Sequence, residues 1–124
     1  MKDITDRKDI ETLVNKFYDK VNADDKISHF FNEIVKVDWN LHLPKMYNFW
    51  ETLLFGKKAF KGNPMLVHVL IAQKEMMEQA HFDRWLQLWR QTIDENFKGE
   101  KAEMAYSKAQ QIASLMAFKV KQFA

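Results

Sequence analysis

The chain predicts an all-α protein, and three observations carry that prediction. Apolar residues recur at three- and four-residue intervals along most of the chain, the spacing that lines one face of an α-helix. Strict apolar–polar alternation, the mark of a half-buried strand, is hardly seen. With Gly 3 and Pro 2 among 124 residues, the backbone carries few helix breakers.

The first helix is expected over residues 8–21, where Ile10, Leu13, Val14, Phe17, Tyr18 and Val21 form one apolar stripe. Residues 1–7 are left as a short N-terminal tail. Asn22-Ala23-Asp24-Asp25 ends that helix, and either aspartate can cap a short helix bearing Ile27, Phe30 and Phe31. Asp38 is the next candidate cap. Beyond it Trp39, His42, Met46, Phe49, Trp50, Leu53 and Leu54 line a helix that stops at Gly56. Pro44 is comfortable only in a first turn, so an irregular start around residues 40–42 is expected. Residues 56–63 read as a loop, and Pro64 opens a short helix carrying His68. Two long helices follow. One covers 79–97 with Phe82, Trp85, Leu86, Trp89, Ile93 and Phe97 on its apolar face. The other covers 100–121 with Met104, Ala105, Ala109, Ile112, Leu115, Met116 and Val120.

Length and composition narrow the function. A chain of this size makes one domain, residues 1–124, with a single core. Its aromatic and sulfur load (Phe 10, Trp 4, Tyr 3, Met 7) suits a dense core or a pocket for a flat apolar ligand. The net charge of +2 is built from interspersed signs, without the basic stripe of a nucleic-acid footprint. Cys 0 excludes disulfides, thiolate metal sites, iron–sulfur clusters and cofactor attachment through a Cys-x-x-Cys-His string. No apolar run is long enough to span a bilayer, and the polar start Met1-Lys2-Asp3-Ile4-Thr5-Asp6 is unlike a signal peptide. A cytoplasmic protein with no membrane partner is the expectation.

His68 stands out, because it lies within the most apolar stretch of the chain, Pro64-Met65-Leu66-Val67-His68-Val69-Leu70-Ile71-Ala72. A buried imidazole needs partners for both ring nitrogens. Two readings are open: a core histidine satisfied by backbone, the commoner case, or a neutral imidazole whose free lone pair ligates a metal or haem iron. Other residues shift the balance when taken together. His42, Met46 and Trp50 recur at four-residue spacing, which turns His42 towards the same interior. Tyr18 lies in the stripe of the first helix, and Trp85 sits between Phe82 and Trp89. Each alone fits plain packing or a local hydrogen bond. Jointly they place two imidazoles, a phenol and an indole N–H among Phe, Met and Leu, the makeup of a ligand pocket with a few convergent polar groups. His29 and His81 read as surface or capping residues. No cluster suits structural zinc, Glu78-Gln79-Ala80-His81 is a lone Glu-x-x-His, and no phosphate loop or paired nucleophile is visible.

The ordered series then resembles a known family. Tyr18, Phe31, His42-Leu43-Pro44-Lys45-Met46-Tyr47-Asn48-Phe49-Trp50, Gly62-Asn63-Pro64 leading to His68, and His81-Phe82-Asp83-Arg84-Trp85-Leu86 are together similar to truncated haemoglobins of the third group. The likeness runs over residues 8–118. It implies the truncated globin fold, a two-over-two helical sandwich, with non-covalent haem b (iron protoporphyrin IX). His68 would be the proximal iron ligand, and Tyr18, His42 and Trp85 would stand on the distal side. Phe31, Met46, Phe49, Val67 and Phe82 would wall the porphyrin, and Lys45 would reach a propionate. Phe60 departs from the family, which often has tyrosine there, and Pro44 leaves the aim of His42 open between iron, ligand path and solvent. The implied function is reversible binding of O2, NO or CO. The alternative is NO dioxygenation or peroxide chemistry, which needs a separate reductase because the chain has no flavin or nicotinamide domain.

Overall fold

The computed structural model describes residues 1–28, 39–56 and 79–123, with side chains up to Phe118. Among these residues the chain forms four helices and no strand: α1 (Arg7–Ala23), α2 (Trp39–Phe55), α3 (Gln79–Asn96) and α4 (Glu100–Phe123).

α1 starts because Asp6 caps it, its carboxylate accepting the Asp9 N–H at 3.0 Å. The expected stripe faces inward, with Ile10, Leu13, Val14, Phe17 and Val21 all essentially out of water. Burying side chains of this kind stabilises by roughly 1.5–3 kcal/mol apiece. Asp24 ends the helix, and its carboxylate takes the Lys26 N–H at 2.9 Å to open the following turn. Ile27 of that turn is buried, while Phe30 and Phe31 lie outside the described residues.

α2 differs from the irregular start expected around residues 40–42, because it is helical from Trp39 onwards. Pro44 therefore sits past the first turn and offers no N–H to the carbonyl of Asn40. Gly56, at a φ of 71°, takes the left-handed conformation that closes α2 and donates its N–H to Thr52 at 3.0 Å. α3 ends one residue before the expected Phe97, which still donates its N–H to Ile93.

Residues 1–7, expected as a short tail, are pinned across the α3–α4 corner. Ile4 is buried, and Lys98 donates its N–H to the carbonyl of Lys2 at 2.9 Å. The Asp3 carboxylate accepts the N–H groups of Lys101 and Ala102, both at 2.8 Å, so the N-terminus of α4 is capped from the far end of the chain. Gly99 makes room for this, since a Cβ there would stand 2.5 Å from the Asp3 Cγ. Sequence periodicity carries no signal of such a long-range cap.

α1 packs against α2 and α3, and α4 packs against the same two helices. Their centre is aromatic. Trp89 stacks on Trp50 at 4.6 Å between ring centroids, and Phe17 meets Trp89 edge-on at 4.9 Å. The Trp89 indole N–H donates to the carbonyl of Ala105 at 3.2 Å. Ala102, Ala105 and Ala109, all buried, let α4 approach this layer closely.

Candidate ligand pocket

Three helices bring polar groups to one edge of this aromatic layer. Tyr18 comes from α1 through its position in the inward stripe, and is buried. His42 comes from the second turn of α2, and its Nε2 lies 3.0 Å from the Tyr18 hydroxyl. Trp85 comes from α3 and meets Phe17 edge-on at 5.8 Å, with Phe17 in turn 5.1 Å from Tyr18. Thus, of the residues singled out in the sequence, Tyr18 and Trp85 both meet Phe17, and His42 joins them through Tyr18.

The Tyr18–His42 pair is electrostatically quiet. Burial pushes the Tyr18 phenol above its ordinary value, so it keeps its proton. Burial, and secondarily the nearby Lys45 ammonium, pushes the His42 imidazole below its ordinary value, so it is neutral at pH 7. Between a phenol and a neutral imidazole, the ring nitrogen lone pair is the better acceptor. The Tyr18 O–H therefore donates to His42 Nε2, which puts the imidazole proton on Nδ1.

The surroundings are apolar. Met46 and Phe82 are buried, and Phe49 and Trp85 are half-buried. Phe82 belongs to a small patch with Met116 and Ala117, set apart from the main core, with Ile112 touching both. Lys45 is exposed, and His81 lies half-buried in the first turn of α3. Phe31, Val67 and His68, as well as His29 and Phe60, lie outside the described residues.

Two contributors escaped the sequence reading. Trp39 stands 4.9 Å from the Tyr18 ring and 5.6 Å from His42, so it closes the pair on a second side. Its signal was its place three residues before His42, but core stripe and pocket wall look alike in a periodic pattern. The other is Arg84, which bonds Asp24 at 2.7 and 2.6 Å and ties α3 to the end of α1 just beyond Tyr18. Burial pushes the Asp24 carboxyl up, but the Arg84 bond and the Lys26 N–H outweigh it and hold the group below the ordinary carboxylate range.

These helices and this pocket define a helical protein with an apolar, aromatic site carrying a few neutral hydrogen-bonding groups. A model of the bacterial-like globin family matches residues 2–119, and the chain belongs to that family. It is 29% identical over 108 residues to the group 3 truncated haemoglobin ctb of Campylobacter jejuni, covering 85% of this chain and 83% of that relative. The crystal structure of a group III truncated haemoglobin from Campylobacter jejuni superposes with a TM-score of 0.85 and 26% identity, covering 100% of this chain and 98% of the other. The fold is thus the truncated globin sandwich that the resemblance implied.

Globin membership implies haem binding. The described residues fit such a group: large aromatic walls left half-buried, neutral rather than charged polar atoms, and an apolar patch at Phe82 separate from the main core. Among the described residues no three His, Asp or Glu side chains gather to hold a bare metal ion. No helix of the described residues is long and apolar enough to cross a membrane.

Proposed function

We propose that the protein holds non-covalent haem b, with His68 as the proximal iron ligand, and reversibly binds O2, NO or CO. Haem supplies an iron coordination position at which such a diatomic molecule can bind. Everything else is the work of the chain. Met46, Phe49 and Phe82, with Phe31 and Val67, exclude water along the porphyrin faces, and Lys45 pairs with a propionate. Tyr18 and Trp85 donate hydrogen bonds to a ligand that gains partial negative charge. The Trp85 indole N–H makes no hydrogen bond to another described residue, which leaves it available as a donor. Tyr18 turns its O–H from His42 to the ligand, and the other His42 tautomer then offers Nε2–H to the phenol oxygen. Cytoplasmic placement belongs to the same proposal.

The observation that carries this reading is the hydrogen bond between buried Tyr18 and half-buried His42 at the edge of an aromatic wall. Stopped-flow O2 dissociation tests it. A bond to a charged partner contributes roughly 1.5–3 kcal/mol, so Tyr18→Phe and Trp85→Phe should each release O2 about ten-fold faster or more. Unchanged rates in both variants would remove the donor assignment. Turnover, as distinct from binding, would require a separate reductase. Sustained NO consumption on adding cell extract to the oxygenated protein would identify it.

A further inference from the structure

We propose that Tyr18 is a redox-active tyrosine, oxidised by one electron while its proton passes to His42 Nε2, with Trp39 as the electron's route to the surface. The geometry is independent of haem. A phenol that loses an electron becomes a strong acid, so its oxidation is easy only where a base already accepts its hydrogen bond. His42 Nε2 is such a base at 3.0 Å. Burial and Lys45 keep that imidazole neutral and its lone pair free. Burial also disfavours simple ionisation of the phenol, so electron and proton leave together.

The route outward is on the same side. Trp39 is half-buried, so part of its indole meets solvent, and its ring centroid is 4.9 Å from that of Tyr18. Behind Tyr18 the rings continue inward through Phe17 to Trp89 and Trp50. With Cys 0 the chain has no thiol to compete with Tyr18 for an oxidising equivalent. The Tyr18 O–H bond breaks, its proton forms an N–H bond on His42, and its electron passes through Trp39. An inorganic radical oxidant at the surface takes that electron and leaves as its anion. A small reductant of the ascorbate class returns the electron, and His42 returns the proton.

The test uses the haem-loaded protein with its iron ferric and no diatomic ligand or cyanide added, so that the Tyr18 O–H stays on His42, in a Tyr47→Phe/Tyr106→Phe background where Tyr18 is the only tyrosine. Flash-generated ruthenium(III) tris-bipyridine supplies the oxidising equivalent, and freeze-quench electron paramagnetic resonance reads the radical. A neutral tyrosyl signal is expected, lost in the further Tyr18→Phe variant, and forming more slowly in heavy water. His42→Leu should slow its formation roughly a hundred-fold, the effect of losing a positioned proton acceptor. Trp39→Phe should slow it while leaving the isotope effect intact. No tyrosyl signal, or a rate and isotope effect untouched by His42→Leu, would overturn the proposal. Faster O2 release in Tyr18→Phe, together with no radical in the parent that retains Tyr18, would leave the haem reading standing and remove only this one.

Discussion

The two ends of the helix sandwich are built to opposite rules. At the Trp89 end, Phe17, Trp50, Trp89 and Ile93 are buried, stacked and satisfied, and Asp3 locks the adjoining corner. At the Tyr18 end the same helices present a phenol, an imidazole and half-buried rings of Trp39, Phe49 and Trp85. One sequence thus spends its aromatic content twice. Packed rings set stability, and the half-buried ones with polar edges are those the proposed function uses.

Substitutions should separate the two ends. The largest stability effect is expected at Trp89→Ala, which empties the stacked layer and removes the indole bond to the Ala105 carbonyl. Urea denaturation should show a loss of roughly 3–5 kcal/mol. A loss no greater than that of Tyr18→Phe would erase the distinction between the ends. The Tyr18→Phe change is expected to move O2 release by about ten-fold or more through a lost bond of about 1.5–3 kcal/mol, while global stability changes little.

Asp3→Ala should cost about 1 kcal/mol by uncapping α4, with O2 release unchanged. The pH dependence has a definite sign. Burial pushes the Asp3 carboxyl up, but the N–H groups of Lys101, Ala102 and Ile4 hold it below its ordinary 3.8. Its stabilisation is full above that pH and fades as pH falls through the lower folded value. The gap between wild type and Asp3→Ala should therefore close in acid, as followed by thermal melts. The smallest expected effect is His42→Leu on O2 release, roughly a few-fold faster, because it removes only support for the Tyr18 phenol.

The sequence made the local half of this structure legible. Helical spacing located α1 to α4 and turned Tyr18, His42 and Trp85 off the solvent face of their helices, because side-chain direction on a helix is fixed by residue count. What it could not display were contacts between distant residues: Asp3 on the α4 terminus, Arg84 on Asp24, and Trp39 against Tyr18. Periodicity records which face is apolar and not what lies across from it. Pro44 misled for a related reason, since its preference for a first turn was outweighed by the packing of Met46, Trp50 and Leu54 further along the same helix.

The central claim, that the Tyr18 end is a haem pocket anchored by His68, has a direct measurement. Hemin titration of the purified protein, followed by absorption spectroscopy, should give a saturable Soret band at one haem per chain. His68→Gly should abolish stable uptake with no external base present. An intact Soret band and unchanged haem retention in His68→Gly would contradict the account.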